Sequence, residues 1–219
     1  MEQKREFADV YEDVMAKVTL VQREISTFTP NEKGIELLGN QSTHPESFSH
    51  PQVTRIVLPF MGFDVNVWVY SREEKTILVD FGTKGTLLKA LEREGISPTH
   101  YLVTHEDVDH IGGLPEVIVA YPEIKELASL CCRISTPGHR EVHDSFYFPE
   151  EGICFCGDAL FSGSMGRPRV GAGLSLDSVR TLMGLPEDTL LFPGHGPATS
   201  VAWERENNCF WQPISSLKP

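Results

Sequence analysis

The chain predicts an α/β fold, with sheets covered on their outer faces by helices. Three observations carry that expectation. Val53–Leu58 and Val65–Tyr70 alternate or run apolar, as strands do. From residue 76 onward, short apolar strands alternate with helical patterns. Hydrophobic residues make up 40% of the 219 and charged residues 23%, which is enough for a core and too apolar for a disordered chain. That length suits one domain with a short appendage.

In chain order, Phe7, Val10, Tyr11, Val14, Met15 and Val18 recur at offsets of three and four, one apolar face of a helix over residues 5–20. That face would pack on the main domain or on a second copy of the chain. Residues 24–52 are polar and rich in Ser, Thr, Asn, Gly and Pro, as a linker is. The division expected is therefore 1–52 as helix and linker, and 53–219 as the folded domain. After the first two strands, Thr76–Asp80 is a short buried strand ending in an acid. Gly82 and Gly85 mark a turn, and Leu87, Leu88 and Leu91 give the next helix. His100–Thr104 is a strand, and Leu114–Ala120 a short helix. Strands are expected near 130–135, 144–148, 153–157 and 189–192, and helices near 175–184 and 199–207. There is no internal repeat.

Lys and Arg number 19 against 31 Asp and Glu, a net charge of −12. Such a chain repels phosphate backbones, so nucleic acid is not an expected partner. No apolar run reaches the ~20 residues of a membrane span. The mixed charge of Met1–Glu6 fits neither a signal nor a transit peptide, so the expected location is the cytoplasm. The five cysteines have no framework spacing and read as reduced thiols. Cys154 and Cys156 read as small buried strand residues, because no second pair completes a zinc tetrahedron.

The most informative segment is Thr104-His105-Glu106-Asp107-Val108-Asp109-His110-Ile111-Gly112-Gly113. It sets two imidazoles and three carboxylates within six residues, directly after a buried strand. Imidazole and carboxylate together suit Zn, Fe or Mn. The two glycines would let the backbone turn tightly before a helix. Thr136-Pro137-Gly138-His139, Gly157-Asp158-Ala159-Leu160-Phe161 and Pro193-Gly194-His195-Gly196-Pro197 each hold one further Asp or His on a turn after a strand.

His105-x-Asp107-x-Asp109-His110, then His139, Asp158 and His195, resemble the ordered ligand set of the metallo-β-lactamase superfamily. The Gly157–Phe161 and Pro193–Thr199 segments, with Gly166-Arg167 and Glu204–Asn208, resemble its glyoxalase II branch. Asn66 and Leu78–Thr83 fit the same pattern. The resemblance covers about residues 53–211. It implies a four-layer αβ/βα sandwich and two divalent metal ions, zinc first, with iron or manganese as alternatives. By position, His105, Asp107 and His139 would hold one ion, Asp109, His110 and His195 the other, and Asp158 would bridge them. Asp80 would fix the ligand loop by hydrogen bonds. Arg167 would orient those groups, meet an anionic substrate, or be a plain surface residue.

Three features depart from the family pattern. Asp107 stands where histidine is commoner, which hardens the site and shifts it toward Fe or Mn relative to Zn. His139 follows His110 by only 29 positions (139 − 110), as if one internal strand-and-helix unit were absent. Arg140-Glu141-Val142-His143-Asp144 replaces the usual small turn, and its His143 and Asp144 are expected at an exposed strand edge.

The leading function is a metallo-hydrolase in which a metal-bound hydroxide attacks a small ester or thioester of the hydroxyacylglutathione kind, with Asp109 or Asp158 handling the proton. The alternatives are an iron-dependent persulfide dioxygenase of the same fold, and a shortened interaction module without catalysis. A nuclease fits less well, because the chain lacks a basic stripe.

Overall fold

A computed structural model describes residues 48–127, 129–208, 210 and 211. The helix expected over residues 5–20 lies outside these, as does most of the expected linker. The described part contains two five-stranded mixed sheets. The first is built of β1 (Val53–Phe60), β2 (Phe63–Arg72), β3 (Lys75–Val79), β4 (His100–Leu102) and β5 (Lys125–Glu126), in that spatial order. β1, β2 and β3 pair antiparallel, and β3, β4 and β5 parallel. The second sheet runs β10 (Thr199–Ser200), β9 (Leu190–Pro193), β8 (Ile153–Gly157), β7 (Asp144–Phe148), β6 (Cys132–Ser135). There β8 and β9 are parallel and the other pairs antiparallel.

The parallel pairs need crossovers, and helices supply them. α1 (Leu87–Glu94) links β3 to β4. α2 (Val108–Ile111) and α3 (Leu114–Ala120) link β4 to β5. α4 (Ala172–Met183) links β8 to β9, and α5 (Val201–Asn207) follows β10. α1 ends at Gly95, whose φ of 66° lets its amide close the last turn on Glu92 and Leu91. The side chain of Ser200 caps α5 by accepting the Trp203 N–H at 3.1 Å.

Strand periodicity sorts the core into layers. On β2, Trp68 and Tyr70 point one way and join Ile77, Val79, Leu102, Phe146, Phe148, Ile153, Phe155 and Phe192 between the sheets. Val65, Val67 and Val69 point the other way, and with Leu78 and Phe81 they meet Leu87, Ala90 and Leu91 of α1 and Val117 of α3. β2 is buried on both faces, so its sequence runs nearly continuously apolar. In the second sheet Cys154, Cys156 and Leu191 face away from the inter-sheet core and are fully buried, as are Val179 and Leu182 on α4. The arrangement is the expected four-layer sandwich.

Main-chain bonds stitch the two sheets together at one edge. Asn66 donates its amide N–H to Gly194 O at 2.7 Å, and Asp144 donates to Thr104 O at 2.9 Å. The Asn66 side-chain amide adds bonds to Pro193 O and Gly196 O, and the Trp68 indole a bond to Pro193 O at 2.8 Å. That edge is where the polar, histidine-bearing loops emerge.

Candidate metal centre

Strands β4, β6, β8 and β9 all end at this edge, and each delivers a ligand-type side chain within a few residues. His105 and Asp107 follow β4, and Asp109 and His110 lie on the single turn of α2. His139 follows β6, Asp158 follows β8 and His195 follows β9. Three sets of donor atoms converge, each within 4.8 Å: His105, Asp107 and His139; His105, His110 and Asp158; Asp109, His110 and His195. That spacing suits ions held at about 2.0–2.2 Å from N and O ligands.

Asp158 stands between the groups. Its Oδ1 lies 3.3 Å from His110 Nε2, and its Oδ2 lies 3.6 Å from both His139 Nε2 and His195 Nε2. The shortened segment between His110 and His139, which contains α3, β5 and β6, still brings His139 Nε2 to 3.1 Å from Asp107 Oδ2.

The hydrogen bonds fix how each imidazole is presented. His139 Nδ1 meets Arg167 O at 3.0 Å and His195 Nδ1 meets Asp64 O at 2.6 Å. A carbonyl only accepts, so both rings carry the proton on Nδ1. His110 Nδ1 meets Asp80 Oδ2 at 2.8 Å. His105 Nδ1 meets Thr104 Oγ1, which already donates to Asp80 Oδ2, so it must accept from the ring. All four histidines therefore turn Nε2 toward the shared centre. The buried His105 Nε2, His110 Nε2 and Asp158 Oδ1 find no protein hydrogen-bond partner there. Buried polar atoms left so are costly unless something else meets them, as a divalent ion would.

Asp80 organises the first half of this network. It sits at φ 64°, a left-handed conformation rare outside glycine and tolerated best by Asp and Asn. From there one carboxylate holds the Thr104 amide at 2.8 Å, the Thr104 hydroxyl and His110. Gly194 has a different reason. A Cβ there would stand 2.3 Å from Asp158 Oδ1 and 2.5 Å from His110 Cε1. The pair Gly112-Gly113 corrects the sequence reading. Gly113 has an ordinary φ of −82°, and it is needed because a Cβ would meet Phe81 O at 2.4 Å.

The charges follow from this packing. Burial and the adjacent His110 push His105 well below the usual imidazole range. Burial opposes charge on His110 too, but Asp80 and Asp158 outweigh it and raise its pKa. Burial likewise works against His195, and the bond to Asp109, with the charge of Asp158, raises it on balance. Asp158 is held below the carboxylate range, because His110, His195 and His105 overcome its burial. Asp109 is lowered in the same way by His195 and His110.

Two residues behave differently from the sequence expectation, and Arg167 follows its surface alternative. His143 is not at an exposed edge: it is 1% exposed. Its Nδ1 meets Thr136 Oγ1 at 2.9 Å, and its Nε2 accepts the Asp158 amide at 3.1 Å. Burial lowers its pKa to about 3, so it stays neutral. It is a positioning residue for Asp158. Asp144 is half-buried at the start of β7, 3.6 Å from Arg133 Nε. Arg167 gives the site its carbonyl while its side chain is exposed. The guanidiniums that do arrive are those of Arg140 and Arg169, both on Asp107. Sequence spacing gave no signal for either. An apolar lip completes the edge: Phe63 and Phe161 each stand 5.6 Å from His195, edge to face, and Met61 in the β1–β2 turn is exposed.

A double-sheet sandwich with an Asp/His cluster at the strand ends is a scaffold whose side chains could hold metal ions. The family model described as "Metallo-beta-lactamase superfamily" matches residues 61–127 and 133–195, and the chain belongs to that family. It is similar to the hydroxyacylglutathione hydrolase of Chromohalobacter salexigens, at 35% identity over 64% of this chain and 65% of that one. It is also similar to that of Buchnera aphidicola, at 30% identity over 64% of this chain and 66% of that one. The chain thus spans a little under two thirds of these relatives' length. Among solved structures, TTHA1623 in a di-iron-bound form has 25% identity and a TM-score of 0.64, over 72% of this chain and 99% of that one. The BLEG-1 B3 metallo-beta-lactamase has 24% identity and a TM-score of 0.63, over 73% of this chain and 100% of that one, and shares the fold. Membership implies a dinuclear metal site, and the seven side chains fit one.

Proposed function

We propose that this chain hydrolyses a small ester or thioester, with a hydroxyacylglutathione as the substrate type, using two divalent ions. His105, Asp107 and His139 would hold one ion, and Asp109, His110 and His195 the other. Asp158 would lie between them. Zinc is the proposed resident metal, with iron and manganese as competitors, because imidazole nitrogen and carboxylate oxygen suit all three. Bound ions of this kind supply Lewis acidity toward a carbonyl and lower the pKa of water.

The observation that carries the reading is the presentation of four Nε2 atoms and three carboxylates to one centre, with His105 Nε2, His110 Nε2 and Asp158 Oδ1 unpartnered by protein. The remaining steps belong to the chain's own groups. The histidines are committed as donors, so the carboxylates are left to move protons. Asp158 is held ionised by three imidazoles, which suits a fixed bridge better than a base. Asp109 meets His195 at 3.4 Å and His110 only at 3.9 Å, a looser hold than that on Asp158, and is the proposed proton acceptor. Phe63 and Phe161 beside His195 offer an apolar wall to the acyl part of a substrate and keep bulk water from that side. No described helix is long and apolar enough to cross a membrane. We place the enzyme in the cytoplasm, acting on a small molecule and not on nucleic acid, with the N-terminal segment as the contact for any self-association.

The test is to strip the full chain with chelator and reload it with Zn, Fe or Mn. Hydrolysis is then measured on hydroxyacylglutathione thioesters, lactones and simple esters. Metal-dependent thioester cleavage is the expected result. Full metal loading without turnover of any of the three classes would sink the reading, and oxygen uptake with a persulfide would replace it with the dioxygenase.

A further inference from the structure

The two halves of the centre differ in what surrounds their carboxylates. Arg140 directly follows His139, and Arg169 lies two residues beyond Arg167, whose carbonyl anchors His139. Both arginines reach Asp107. Arg140 places Nε and Nη2 on Oδ1. Arg169 places Nη1 on Oδ2 at 3.0 Å, an oxygen already 3.1 Å from His139 Nε2. Both oxygens of this buried carboxylate are thus occupied by fixed cations. Asp109 and Asp158, among the described residues, are approached within 4 Å by imidazoles and by no guanidinium or ammonium.

The chemistry of the two kinds of partner is not the same. An imidazole beside a carboxylate is itself a candidate ligand and can share a metal with it. A guanidinium does not deprotonate in proteins, so it leaves only by swinging away. The exposure of the two arginine side chains, 45% and 41%, gives them water to swing into. Until they do, two positive charges on one carboxylate repel an incoming dication.

We infer that the two metal positions are unequal, and that Arg140 and Arg169 set the inequality by competing for Asp107. The position of Asp109, His110 and His195 fills first, and that of His105, Asp107 and His139 fills second and more weakly. The inference rests on the metal reading given above.

The test is a calorimetric titration of the chelated full chain with Zn, and separately with Mn, using a competing chelator to resolve tight binding. The wild type should show two phases separated by at least about tenfold in affinity. Arg140→Ala/Arg169→Ala should strengthen the weaker phase by about tenfold and leave the tighter one nearly unchanged. Arg169→Ala alone should fall between, which guards against misfolding of the double variant. Arg93→Ala/Arg180→Ala removes the same charge far from Asp107 and should keep the wild-type gap. Equal affinities in the wild type would overturn the inference and leave the metal reading standing. So would a weaker phase that is unchanged or lost in the double variant. Absence of any metal binding would overturn both.

Discussion

Asp158 and Asp144 are both acids beside strands of the second sheet, yet their surroundings predict opposite outcomes. Asp158 faces three imidazoles at 3.3–3.6 Å, whereas Asp144 has a loose contact with a half-exposed arginine. Asp158→Ala should cost most of the bound metal and Asp144→Ala little, as elemental analysis would reveal. Equal losses would mean the central acid is misassigned. Asp107→His has a consequence that sequence alone hides. It restores the commoner ligand but strands two guanidiniums beside a neutral ring. Asp107→His should therefore bind its second zinc more weakly than Asp107→His/Arg140→Ala/Arg169→Ala, by titration of each. The histidines also set a pH signature for the chelated protein. His105 and His143 are depressed on folding, so the unfolded chain binds more protons, and stability falls as pH drops below the ordinary imidazole value of about 6.5. His110 and His195 are raised, so their contribution is full below about 6.5 and is lost as pH climbs through their folded values. Thermal midpoints should peak near that pH, and a profile rising or falling throughout would contradict the assignments.

At the level of elements, the loops that carry the candidate ligands are held by residues outside that set. His143 directly precedes β7, and the pairing of β7 with β8 carries it under the Asp158 amide. His143→Ala would leave that buried N–H unpaired, at a cost of about 1–3 kcal/mol in denaturant unfolding. Metal affinity should fall with it, which a simple loss of packing elsewhere would not cause. Asn66 does the same for the His195 loop through two side-chain bonds to Pro193 and Gly196. Asn66→Ala should weaken metal retention while leaving β1–β2 pairing intact, since its backbone bonds remain. The longer elements were legible because the apolar runs of β1, β2 and β8 and the spaced leucines of α1 are strong signals. β5 and β10, two residues each, and the one-turn α2 are too short to impose any period. The burial of His143 was illegible for another reason: flanked by Val142 and Asp144, it reads as surface, and its partner Asp158 meets it only through strand pairing.

Taken whole, the molecule divides its candidate ligands between two sheets that touch chiefly through apolar side chains. The order of Asp and His along the chain pointed to the candidate centre, because each segment that carries them follows a predicted strand. The arginines on Asp107 were not foreseeable, since contacts 33 and 62 positions apart leave no local trace. The same division gives the main-chain bonds Asn66 N–H to Gly194 and Asp144 N–H to Thr104 an unusual standing. They belong to neither sheet's own ladder, so their breaking marks separation of the two halves and not fraying of a strand. Their amide protons are a built-in clock. In hydrogen–deuterium exchange they should trade at the pace of global opening, well behind the amides of α3. Should they instead exchange early, the seam beneath the centre would be breathing on its own, and the site would assemble anew with each closure.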